Sequence, residues 1–107
     1  MIPKIIAVDF DGTLCSDRWP AIGEANYPLI CHLIKEKAAG TKLILWTCRT
    51  NERLKEAVAW CNTRGLFFDT INRNLPEIIE IYGDSIKVFA HQYFDDKAVW
   101  VKMTEEA

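Results

Sequence analysis

The chain has 107 residues, half of them hydrophobic and about a quarter charged, with a formal net charge of −2. That length is expected to form one domain, residues 1–107, with a core of its own and no room for a second. No Lys/Arg block is present, which excludes an extended nucleic-acid or anionic-membrane surface, and no run approaches the ~20 apolar residues of a membrane span.

Residues 4–10, "KIIAVDF", form a short continuous apolar run. Such a run suits a strand covered on both faces, as in a parallel sheet. Asp9 cuts it before it could serve as a leader's hydrophobic region, so no signal peptide is expected. Residues 15–25 read as a loop. Residues 26–39 read as a helix capped by Asn26, with Pro28 in its first turn, an apolar face of Ile30, Leu33 and Ile34, and Gly40 as its stop. "KLILW" (42–46) is a second strand, ending at Thr47. Residues 51–64 place Leu54, Ala57, Val58 and Cys61 at helical spacing, closed by Gly65. A third strand is expected at 66–71, a short helix from Pro76 to Tyr82, a fourth strand at 89–94 and a short edge strand at 98–103.

Strand and helix alternate, which predicts an α/β fold: a three-layer, doubly wound, Rossmann-like parallel sheet. Ligands of such sheets bind beyond the carboxyl ends of the strands. Three of the predicted strands end in polar residues, Asp9, Thr47 and Asp95, and these are expected to converge on one edge. That edge would gather Asp9, Asp11, Asp95 and Asp96, with Thr47, Arg49 and Lys87 nearby. Two carboxylates at about 4 Å repel by roughly 4 kcal/mol at an effective dielectric near 20. A hard divalent cation would offset that repulsion, and all-oxygen ligands suit Mg²⁺. A metal, a lysine and a hydroxyl are also what a phosphoryl group needs. Asp9 could attack phosphorus, and Asp11 could pass a proton to the leaving oxygen. Gly12 permits the sharp turn out of the strand, and Thr13 braces it.

"DFDGTL" (9–14), "LWT" ending at Thr47, Lys87 and "YFDD" (93–96) resemble, in order and approximate spacing, motifs one to four of the haloacid dehalogenase-like superfamily. The resemblance covers most of the chain. It implies a Mg²⁺-dependent phosphatase acting through an aspartyl-phosphate. Asp9 would be nucleophile and metal ligand. Asp11 would be the general acid/base and lend its backbone carbonyl to the metal. Thr47 would bond a phosphoryl oxygen, Lys87 would neutralise nucleophile and phosphate, and Asp95 and Asp96 would complete the metal shell, with Asp96 the favoured direct ligand. The true dehalogenases of the superfamily lack the second aspartate of motif one, so Asp11 favours phosphate chemistry. Neither interval between the motifs holds a cap domain, which implies a capless member similar to small phage and bacterial hydrolases.

Several residues carry two readings. Arg49, in "TCR", either binds substrate phosphate or is an exposed arginine ahead of a helix. Trp19 either stacks on a substrate ring or covers its loop against the core. Lys87 taken alone reads as a surface charge. Cys48 should point away from Thr47 by strand alternation, and His32 and His91 read as structural. Four cysteines without C-x-x-C spacing, and without a leader, are expected as reduced thiols in a cytoplasmic protein rather than as two disulfides or a zinc site. The expected partner is a phosphorylated small molecule or a phosphorylated polynucleotide end. With no cap, further substrate contacts would come from residues 15–25, with Arg18 and Trp19, or from a neighbouring subunit of a homo-oligomer. The alternative function is a phosphoacceptor signalling or binding module of the same fold. Receivers of that kind place the acidic pair first and the phosphorylated aspartate mid-chain, and the order here is different.

Overall fold

The computed structural model describes residues 2–103. Its elements, in chain order, are β1 (Ile5–Val8), β2 (Cys15–Arg18), β3 (Ala21–Ala25), α1 (Tyr27–Ala38), β4 (Lys42–Leu45), α2 (Asn51–Thr63), β5 (Thr70–Ile71), α3 (Pro76–Tyr82) and β6 (Gln92–Phe94). β5, β4, β1 and β6 lie side by side in that order, and every pairing among them is parallel. The chain therefore builds outward from β1 through β4 to β5, then returns to place β6 on the other side of β1. This is a small α/β protein with a mostly parallel sheet and three helices, an arrangement compatible with a Rossmann-like fold.

The continuous apolar runs are explained by burial on both faces of the sheet. All four residues of β1 are buried. Ile6 and Val8 join Leu43 and Leu45 of β4 in a cluster with Ile30 and Leu33 of α1 and Ala57 and Cys61 of α2. Ile5, Ala7 and Ile44 point the other way and pack with Ile78 of α3, Leu75 and Val88. Successive strand residues face opposite sides, so one run feeds two cores. Each fully buried Ile, Leu or Val contributes about 1.5–3 kcal/mol.

The helix boundaries follow their caps. The Asn26 side chain accepts from the Leu29 amide at 3.4 Å, and Pro28 occupies the first turn of α1. Gly65, at φ +80°, follows α2 in the left-handed region, where glycine carries no Cβ penalty.

Three expectations are corrected. Residues 15–25 are not a plain loop but an antiparallel hairpin, with a register shift between Cys15 and Asp17. Its β2 buries only Cys15, so it lacks the alternation that would announce a strand. Gly23 is required where the hairpin closes on itself, because a Cβ there would overlap the Ser16 backbone and hydroxyl. The strand expected at 66–71 is reduced to Thr70–Ile71, since Leu66 instead bonds back to the Cys61 carbonyl and closes the end of α2. Residues 98–103 form no strand, and Val99, Trp100, Val101 and Met103 are 76–85 % exposed. A turn in which Asp95 accepts from the Lys97 amide comes directly after β6, and the apolar residues beyond it pair with no strand. Among the described residues, no helix is long and apolar enough to cross a membrane.

All four cysteines are free thiols, Cys31 and Cys48 exposed and Cys15 and Cys61 buried. Burial raises both inner thiols, and that of Cys61 is pushed up to about 12. Because the thiolate is the reactive form, a colorimetric thiol reagent at pH 8 is expected to titrate two thiols per native chain within minutes, and four in denaturant. Rapid reaction of all four in the native protein would show that the Cys15 and Cys61 environments open readily.

Candidate active site

Parallel pairing brings the carboxyl ends of the sheet to one edge, and each strand end delivers a polar residue there. In spatial order these are Asn72 after β5, Thr47 after β4, Asp9 after β1, and Asp95 with Asp96 after β6. Asn72, Thr47, Asp9 and Asp95 line one cavity of about 370 Å³, together with Trp46 and Cys48. A larger cavity beside β5 and α3, about 510 Å³, has Arg73 as its only charged lining residue and offers no comparable convergence.

One carboxylate oxygen from each of Asp9, Asp95 and Asp96 lies within 4.8 Å of the others. Partial burial pushes the Asp9 carboxyl up to about 6, and the charges of Asp95 and Asp96 push in the same direction. Asp96 is held low: desolvation raises it, but the Lys97 ammonium, 3.2 Å away, and a hydrogen bond from Asp9 outweigh that. The triad thus carries more negative charge than its surroundings balance. A hard divalent cation fits this all-oxygen donor set.

The turn after β1 is built around the triad. Gly12 has φ +84°, and a Cβ there would overlap the Asp96 carboxylate. Only glycine lets the backbone come so close. The Thr13 hydroxyl accepts from the Asp96 amide at 3.0 Å, and the Asp9 amide donates to the Phe94 carbonyl at 2.8 Å. The β1 turn and the end of β6 are therefore locked to each other.

Thr47 is oriented from both sides. Its amide donates to Asn72 Oδ1 at 2.8 Å, and its Oγ1 accepts from the Arg49 amide at 3.1 Å. With Oγ1 accepting there, its hydroxyl proton is free to point at a bound oxygen. Cys48 lines the same cavity as Thr47 rather than facing away, because β4 has ended at Leu45 and strand alternation no longer applies.

The remaining sequence candidates have partners of their own. The Asp11 side chain is paired with Arg49, whose Nη2 and Nε donate to its two oxygens at 2.7 and 2.8 Å. The other Arg49 donors reach the carbonyls of Ala21, Pro20 and Arg53 at 3.0, 3.3 and 3.4 Å. A guanidinium has five N–H donors, and all five are used. Arg49 is 1 % exposed, so it is neither an exposed arginine nor able to offer a donor to a substrate oxygen in this arrangement. Lys87 lies with its ammonium 5.4 Å from the Tyr93 ring centre and, among the described residues, forms no ion pair. Lys97 pairs with Asp96 of the triad at 3.2 Å.

The Trp19 ring centre lies 4.9 Å from the Arg49 guanidinium carbon, and that of Phe10 5.0 Å from it. It also lines a second cavity of about 320 Å³ with Asp11, Asp17, Cys48 and Arg49, which adjoins the first at Cys48. His91 accepts from the Ile5 amide through Nδ1 at 2.9 Å and so completes the edge of β1.

Asn72 and Lys97 are the site residues that sequence reasoning missed. Asn72 follows the last apolar residue of a predicted strand, the same signal that singled out Asp9, Thr47 and Asp95. Its φ of +54° is one that asparagine tolerates better than most residues. Lys97 is the residue directly after the Asp95–Asp96 pair.

No protein-family model matches the chain, and no curated protein does. A solved structure, described as that of the conserved protein coded by locus from Bacteroides thetaiotaomicron, matches it with a TM-score of 0.80 and 39 % sequence identity, over 92 % of this chain and 79 % of the other. At that identity and coverage, the chain belongs to the same family as this conserved Bacteroides protein.

Proposed function

We propose that the chain is a capless member of the haloacid dehalogenase-like superfamily, with its doubly wound layout, and that it hydrolyses phosphomonoesters through an aspartyl-phosphate on Asp9. The observation that carries this reading is the convergence of Asp9, Thr47, Asp95 and Asp96 from three neighbouring strand ends. In the first step an Asp9 oxygen forms a bond to phosphorus as the bond to the leaving oxygen breaks, and Asp11 supplies the proton that oxygen takes up. In the second step water attacks phosphorus, its proton passes to Asp11, and the bond between phosphorus and Asp9 breaks. A carboxylate offers about four lone-pair sites. Arg49 occupies two of those on Asp11, which leaves others open to the leaving group. The Thr47 hydroxyl donates to a phosphoryl oxygen. Mg²⁺, held by Asp9, Asp95 and Asp96, would supply charge neutralisation for the phosphoryl group.

The substrate class is a phosphorylated small molecule or a phosphorylated polynucleotide end. Purified protein is to be screened against a panel of nucleotides, sugar phosphates and 3′- and 5′-phosphorylated oligonucleotides, with and without Mg²⁺. Release of inorganic phosphate only with Mg²⁺ is the expected result. Binding of phosphate esters with no release from any of them would point to the binding or phosphoacceptor alternative.

A further inference from the structure

We infer that Arg49 is a positioning residue that ties the orientation of Asp11 to the tip of the β2–β3 hairpin, so that hairpin and proton-transfer carboxylate move as one unit. The kinetic part of this inference rests on the phosphatase reading above, and its spectroscopic part does not.

Arg49 joins three separate segments. Two of its donors hold both oxygens of Asp11, in the turn after β1, and two reach the Pro20 and Ala21 carbonyls at the hairpin tip. The fifth reaches the Arg53 carbonyl in the first turn of α2. The guanidinium carbon also lies within 5.0 Å of the ring centres of Trp19 of the hairpin and Phe10 of the core. A charge that is 1 % exposed is tolerable only when every donor is matched, since a buried ion without partners costs several kcal/mol. If the hairpin tip lifts, two donors lose their acceptors and the guanidinium is drawn toward water, away from Asp11. If the tip stays down, Asp11 is held in one rotamer by a bidentate fork, a geometry that lysine cannot reproduce. A purely structural brace could end on neutral groups. Among the described residues, this one places its only ionic contact on the carboxylate assigned to proton transfer.

Two measurements test the coupling. In the first, hydrogen exchange of the Arg49 Nε–H is followed by NMR in the parent protein and in Trp19→Ala, which removes the outer stack on the hairpin side. Exchange is expected to be slow in the parent and at least tenfold faster in Trp19→Ala. An unchanged rate in Trp19→Ala would overturn the coupling, whether or not the protein is a phosphatase. Faster exchange in a protein that hydrolyses no phosphomonoester would uphold the coupling and remove the phosphatase reading alone. In the second, kcat and KM are compared on one phosphomonoester for the parent, Arg49→Lys and Trp19→Ala. A displacement of about 1 Å in a catalytic group can cost about 100-fold in rate. Arg49→Lys is therefore expected to lose about 100-fold in kcat with KM within about twofold, and Trp19→Ala to show a smaller loss of the same kind. A raised KM with unchanged kcat in Arg49→Lys would make Arg49 a substrate ligand and overturn the proposal. A folded Arg49→Lys with both constants unchanged would leave a mere brace and overturn it as well. Should Arg49→Lys fail to fold, Trp19→Ala decides: lower kcat at constant KM upholds the coupling, and unchanged kcat refutes it.

Discussion

Asp9→Asn is expected to fold as the parent does and to turn over phosphomonoesters at least ~1,000-fold more slowly, because an amide cannot replace the carboxylate as a covalent nucleophile. The fold should not suffer. Asp9 follows the buried strand β1, and its amide bond to Phe94 involves only backbone atoms. The ionised carboxylate is itself a burden, since burial and the Asp95 and Asp96 charges raise it from 3.8 to about 6. An acid raised in the folded state lowers stability as pH rises from its unfolded value to its folded one. In chelator, Asp9→Asn should therefore match the parent's stability below about pH 4 and exceed it above about pH 6. The gain should be on the order of 1 kcal/mol, after solvent screening of a half-buried site. Turnover near that of the parent would remove Asp9 from the nucleophile's role. A variant less stable than the parent at pH 7 would show that the triad is not under the strain described.

Chelation of divalent cations is expected to abolish activity, and Mg²⁺ to restore it. The same ion should raise the melting temperature. At 100 times its dissociation constant, a ligand of the native state contributes about 2.7 kcal/mol, which in a domain of this size corresponds to a shift of about 10 °C or more. Binding should tighten as pH rises through about 6, because Asp9 must lose its proton to act as a ligand. Asp96→Ala should weaken both the thermal shift and the activity. If chelator changes neither melting nor turnover, Asp9, Asp95 and Asp96 do not form a metal site.

The strands that carry Asp9 and Thr47 were legible because each is a run of apolar residues buried on both sides. The rule that a polar residue just past such a run lies on the ligand edge found Asp9, Thr47 and Asp95. The same rule would have found Asn72. The hairpin was not legible, because β2 is polar and exposed beyond Cys15 and β3 is only partly buried, so neither shows the apolar alternation of a strand. The tail at 98–103 misled for the opposite reason. Its residues have the composition of a strand, but pairing is a property of neighbours, and the turn at Lys97 removes them. The environment of Arg49 was out of reach because its partners lie about thirty to forty residues away in sequence, at Pro20, Ala21 and Asp11. Sequence order pointed to Lys87 as the lysine of the acidic cluster and gave no weight to Lys97, which pairs with Asp96.

The outer strands of this sheet are very short, and side chains finish what their backbones leave undone. Asp69 accepts from the Leu43 amide at 2.8 Å, just before β5 begins, and Asn72 accepts from Thr47 just after it ends. On the far side, His91 accepts from Ile5 immediately ahead of β6. These three side chains act as pegs that fix where the two outer strands start and stop against their neighbours. A slide of either strand by one residue would break its pegs as well as its ladder. Substitutions at 69, 72 or 91 should therefore behave as though a strand had been shortened or freed to slip, although all three positions lie just outside the strands that form. Asn72 and Thr47 show why this matters for chemistry: the peg that aligns β5 is the same contact that presents the hydroxyl to the cavity.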